Sequence, residues 1–313
     1  MDALLARLVA GDATLAGDDL AAWWRACEPL RARCAHPVER AMALSLVAPT
    51  VGSAFVAGYR AALHALDPSL GPHTRAALCA SEEGGAHPRA VNTRATVTSD
   101  GVTLDGTKRF VTGARDADVL LVLAAEGEPV EGRRAFALVR VPASAPGVTF
   151  EDMPATPFVP DVAHATVTFE GVRLAAAARL AGDGWSEYVK PFRTLEDLHV
   201  QAAITAWLVG ALRRARGPGA LIERLVAHAL TLRALADATV DAAATHVALA
   251  GAFANLEGLL GALDGWMAQA PDDLRDAWAR DRRVLTVARS AREQRRVRAW
   301  ERVSDAVQFA REG

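Results

Sequence analysis

The chain has 313 residues, 51% of them hydrophobic and 23% charged, with a formal net charge of -2. That is enough chain for two or three layers sharing sizeable cores. A near-neutral balance gives no electrostatic reason to hold nucleic acid, so none is expected as a partner.

The opening residues, MDALLARLVAGDATLAGDD, hold acids and no sustained apolar core, and nothing later runs eighteen uncharged apolar residues. Neither an export signal nor a membrane span is expected. Up to about residue 75 the chain is Ala- and Leu-rich with helical spacing, as in Ala41, Leu44, Val47 and Val51, before the breaker cluster DPSLGP. This predicts an N-terminal helical domain over residues 1–75. The texture then changes to alternation: ATVTSDGVTLDG reads as strand, turn, strand, with Ser99, Asp100 and Gly101 supplying the turn. VLLVLAA, RRAFALVRVPA and HATVTFEGVRL continue the series, so a central antiparallel β domain is expected over residues 76–178. From Ser186 onward helical spacing returns, broken by GPG at 217–219 and APDD at 270–273. A C-terminal helical bundle over residues 179–313 completes an α+β fold. Cys27, Cys34 and Cys79 form no CxxC pair, and the histidines show no ligand spacing. Reduced thiols in a cytoplasmic protein and no metal are expected.

One block carries chemistry. The stretch from Ala76 to Ala125 contains the turn SEEGG at 81–85, the hairpin above, Lys108-Arg109-Phe110-Val111-Thr112, then Ala117-Asp118 before an apolar strand. This order resembles the central β domain of the acyl-CoA dehydrogenase family of flavoproteins, over about a hundred residues, with looser likeness in the flanking helices. The resemblance implies FAD as cofactor. It implies a flavin-binding set of Cys79, Ser81, Glu82, Gly84 and Gly85 from the turn, and Phe110, Val111 and Thr112 from the second strand. Ser81 and Thr112 match hydroxyl donors, and Phe110 matches the aromatic wall of the ring. A donor near the flavin's N1 and C2 oxygen favours the negative charge that develops there on hydride uptake. Family dinucleotide sites are completed across a subunit interface, so a homo-oligomer is implied, and the Ala-rich stretch ATVDAAATHVALAGAFA suits close helix packing.

The departures are specific. Glu83 stands where the family has Pro, and the turn runs on through Gly84, Gly85, Ala86, His87 and Pro88 instead of Gly-Ser-Asp. The family's Arg-x-x-Phe-Gly segment, whose Arg reaches the FAD diphosphate, is reduced to positive charge at Arg213, Arg214 and Arg216, of which Arg213 is the candidate ligand. The Glu-Gly-Thr stretch with the usual catalytic base has no counterpart. Some family members carry the base on the first long C-terminal helix, and PFRTLEDLHVQAA at 191–203 places Asp197 nearest that position, with Glu196 beside it and His199 two residues on. A carboxylate there would take a proton alpha to a thioester if burial raised its pKa. The implied activity is α,β-dehydrogenation of an acyl-CoA or other acyl thioester, with the electron acceptor open. The alternative is a catalytically silent relative serving as a binding or assembly subunit. A basic face on the last helix, Arg289, Arg292, Arg295, Arg296, Arg298 and Arg302, suits a phosphate-rich ligand, a subunit seam or plain solvation.

Overall fold

The computed structural model describes residues 2–85, 87–130 and 133–312. They divide into two compact units, a helical one (Met1–Ala62, Pro157–Val159 and Thr194–Gly313) and a β unit (Leu63–Thr156 and Pro160–Arg193). The sequence reading set the N- and C-terminal helices apart, whereas they share one unit. Helical texture is local, and which helices share a core is decided by long-range packing.

In the β unit, β1 (Ala76–Cys79), β2 (Arg94–Thr98), β3 (Gly101–Thr112), β4 (Val119–Val130), β5 (Arg133–Pro142), β6 (Val148–Asp152) and β7 (His164–Leu174) form one sheet. Its order is β1-β4-β2-β3-β7-β6, with β5 on β4. The hairpin of β2 and β3 closes over Ser99 and Asp100, with Thr98 opposite Gly101. Most pairs are antiparallel, but β1 and β2 each run parallel to β4. The sheet is therefore mixed. Alternation puts Val102 and Leu104 of β3 and Ala165, Val167 and Phe169 of β7 into one core. β4 is different: Leu120 through Ala124 are all fully buried. A strand covered on both faces reads as an uninterrupted apolar run, which is why VLLVLAA does not alternate.

The helical unit holds α1 (Asp2–Ala10), α2 (Leu20–Ala26), α3 (Glu28–Arg33), α4 (Pro37–Leu46) and most of α5 (Val51–Leu66). It also holds most of α6 (Lys190–Arg214), with α7 (Gly219–Leu235), α8 (Ala243–Met267), α9 (Asp272–Asp281) and α10 (Arg289–Glu312). Trp23 is fully buried and its indole N–H donates to the Leu44 carbonyl at 3.1 Å. Trp24 lies between the guanidinium groups of Arg31 and Arg60, 4.3 and 4.2 Å from its ring centre. At Gly58 on α5 a Cβ would stand 2.5 Å from Val200 Cα, so only glycine lets α5 close on α6 there. By length and composition α8 is long and apolar enough to cross a membrane, although the sequence rule found no span because Glu257 interrupts the run. Its buried residues, from Thr245 to Met267, recur three and four apart, as on a helix packed along one face.

Candidate functional site

Strand β3 carries one residue too many for its partner. Lys108 pairs with Val167 and Val111 with Ala165, so three steps along β3 match two along β7. The surplus is a bulge, and such bulges re-aim side chains. Phe110 sits in it with φ 55° and is 60% exposed. A left-handed conformation costs a non-glycine residue about 1–2 kcal/mol, and an exposed ring gains little burial in return. Packing alone does not account for Phe110. Its N–H donates to Met153 Sδ at 3.3 Å.

The SEEGG turn is tied to this bulge. The N–H of Arg109 donates to the Ser81 carbonyl at 2.8 Å. Within the turn, Glu82 and Gly85 exchange backbone hydrogen bonds of 3.1 and 2.9 Å. Gly85 has φ +94°, which its lack of a side chain permits, and open space lies where a Cβ would be. Glu82 itself points inward. Its carboxylate accepts from Lys108 Nζ at 2.7 Å, from Thr93 N at 3.0 Å and from Asn92 N at 2.7 Å. Burial raises its pKa, but the Lys108 charge and these three donors outweigh burial and hold Glu82 below the usual carboxylate range.

The implied flavin set therefore separates. Ser81, Gly84, Gly85, Phe110 and Thr112 are exposed or half-exposed, and the Ser81–Arg109 bond joins the turn to the bulge. Val111 and Cys79 are in the core, 1% and 0% exposed, and burial pushes the Cys79 thiol up to about 12. Glu82 braces the turn from behind. Arg213 donates to the carbonyls of Leu8 and Gly11 at the end of α1, at 3.3 and 2.6 Å, so its guanidinium is engaged within the helical unit. The pairing of Lys108 with Glu82 escaped sequence reasoning, although Lys108 keeps the inward phase of Val102 and Leu104. A lysine in that phase calls for a buried carboxylate.

The three α6 candidates differ in how far they are engaged. Both oxygens of Asp197 are held: Oδ1 accepts from Arg292 Nε and Nη2 at 3.0 and 2.9 Å, and Oδ2 from Arg295. Its side chain is 9% exposed. Two arginines of the basic face thus turn inward and dock α10 on α6. His199 is buried, and its Nδ1–H donates to the Leu195 carbonyl at 2.7 Å. Nε2 then carries the lone pair and has no hydrogen-bond partner among the described residues. Burial pushes this imidazole down to about 4, so it is neutral at pH 7. Glu196 is half-buried.

Comparison with known proteins follows the same lines. Residues 76–172 match the family model for the acyl-CoA dehydrogenase middle domain. No curated protein matches the chain by sequence. Among solved structures the chain is similar to FkbI, for biosynthesis of the methoxymalonyl extender unit of the polyketide Fk520, at 22% identity and TM-score 0.59, covering 97% of this chain and 99% of that one. A probable acyl-CoA dehydrogenase from Mycobacterium abscessus is similar at 17% identity and TM-score 0.62, with 95% and 97% covered. The FAD complex of PigA is similar at 14% identity and TM-score 0.63, with 96% of each chain covered.

Proposed function

We infer, from residues 76–172 that match the acyl-CoA dehydrogenase middle domain and a fold shared with solved members of that family, that the chain is an FAD-dependent oxidoreductase of this family acting on an acyl thioester. In this reading Ser81, Gly84, Gly85, Phe110 and Thr112 hold the flavin ring. The observation that carries it is Phe110, a strained and exposed aromatic on a bulge beside the open Gly85 turn. Strain of this kind persists where the surroundings impose it, and it clusters at ligand sites. The exposed ring offers a stacking face, and the hydroxyls of Ser81 and Thr112 offer donors for a developing negative charge. Bound FAD would supply a hydride acceptor for the acyl Cβ.

Among the three α6 candidates for the base, Glu196 is half-buried, His199 is enclosed with its pKa pushed down to about 4 and so is a weak base, and Asp197 serves only where Arg292 and Arg295 release it. That clamp also favours a second reading, a family member that binds FAD and assembles without turning over. For either reading we propose a homo-oligomer packed through the outer face of α8. There Ala244, Ala248, Gly251, Gly258, Ala262 and Gly265 are exposed at near-heptad spacing, which lets backbones approach closely.

The test is anaerobic addition of an acyl-CoA panel to the FAD-loaded protein, following loss of the flavin's visible absorbance. A dehydrogenase bleaches with at least one thioester. Among Glu196→Gln, Asp197→Asn and His199→Gln, the variant lacking the base bleaches on the order of 10²-fold more slowly. A loaded protein that no thioester bleaches is the silent relative.

A further inference from the structure

A cavity lies in the helical unit, at the far end of α6 from Asp197. Its volume is about 300 Å³, the lower bound for small-molecule sites. Arg214 at the end of α6 donates to the carbonyl of Leu46, one of the cavity's lining residues, at 2.9 Å. About 25 Å of helix separates Asp197 from Arg214. The cavity is thus remote from the α6 candidates.

Its lining has two characters. Leu15, Cys27, Leu30, Leu46 and Val47 are apolar walls, and Arg7 and Asp12 supply charge. Arg7 is half-buried and its guanidinium makes no hydrogen bond or ion pair among the described residues. Asp12 is exposed at the rim, with Oδ1 accepting from Thr14 N at 2.8 Å. Arg213 adds a second positive charge close to Asp12. Leu15 is 45% exposed, a large apolar side chain outside any core at the edge of this cavity. Cys27 adds no nucleophile, since burial pushes its thiol up to about 11 and keeps it neutral. At about 30 Å³ for each water-sized group, the space holds about ten non-hydrogen atoms.

We propose that this cavity is a reversible binding site for a small amphipathic carboxylate, with Arg7 holding the head group and Leu15, Leu30, Leu46 and Val47 enclosing an aliphatic tail. A half-buried cation without an ion pair, set beside apolar walls, favours a monoanion with a short chain, because a charge-assisted hydrogen bond is stronger than a neutral one.

The experiment is calorimetric titration of the purified full chain with octanoate, and with octylammonium as the cation of the same tail. Octanoate should bind, and octylammonium at least tenfold more weakly. Arg7→Gln removes the cation, and Leu15→Glu sets a carboxylate at the mouth without touching the core. Each should weaken octanoate about tenfold or more, while the melting temperature and FAD affinity stay at wild-type values. No octanoate binding, equal binding of octylammonium, or unchanged octanoate affinity in both variants would each overturn the proposal. The last result would place octanoate elsewhere on the protein.

Discussion

Replacing Glu82 with Gln leaves the Lys108 ammonium in the β-unit core without an anion. The lysine side chain is 0% exposed and Glu82 6%, so water cannot take over. Breaking such a pair from one side costs about 3–5 kcal/mol. Gln keeps one oxygen, which can accept from Lys108 and Thr93, while its amide nitrogen faces the N–H of Asn92, so the loss is at least about 3 kcal/mol. For a unit of this size that corresponds to a fall in melting temperature of about 10 °C. The sign with pH follows from the depressed pKa of Glu82. Its contribution is complete above the unfolded carboxylate pKa of about 4.3 and is lost as pH falls through the lower folded value. Calorimetry at pH 7 should show the full gap between wild type and Glu82→Gln, and below about pH 4 the gap should narrow. The double variant Glu82→Gln with Lys108→Met should recover most of the loss, since it removes the stranded charge as well. A single variant within about 0.5 kcal/mol of wild type would refute a buried pair at this place.

The Asp197→Asn exchange weakens three charge-assisted hydrogen bonds from Arg292 and Arg295. It should cost about 2–3 kcal/mol, and hydrogen exchange should show the amides of α10 opening ahead of the rest of the helical unit. His199 and His228 are both pushed to about 4 by burial, so between pH 6.5 and 4 the unfolded chain binds more protons. Stability contributed by these groups is full above about pH 6.5 and falls toward pH 4, by about 1.4 kcal/mol per pH unit for each. His228→Gln should flatten that slope by one group in urea titrations at pH 7 and pH 5.

Much of the fold was legible because its periodicity is local. The hairpin over Ser99 and Asp100 and the alternation of β3 and β7 follow from residues a few positions apart. The parallel pairing of β1 and β2 with β4 was not legible, because strand direction depends on where the chain returns. In the site, the resemblance implied Phe110, Ser81, Glu82 and Val111 alike as flavin contacts, whereas Glu82 and Val111 are buried. Their phases distinguish them: Val111 continues the inward set only after the bulge adds a residue, and a bulge leaves no mark in alternation. Asp197 met the same limit from the other side. Its partners lie 95 and 98 positions away on α10, a separation at which sequence shows only a basic helix face.

Phe110→Gly tests the flavin surface without confounding it with unfolding. Glycine adopts the left-handed conformation freely, so the variant keeps or gains up to about 1 kcal/mol of stability while losing the ring. Titrating FAD into wild type and variant, followed by quenching of flavin fluorescence, should give saturable binding to wild type and at least tenfold weaker binding to Phe110→Gly, since a stacked aromatic contributes about 1 kcal/mol beyond its buried area. Equal affinity in the two proteins, or no uptake of FAD by wild type, would contradict a flavin site at the bulge.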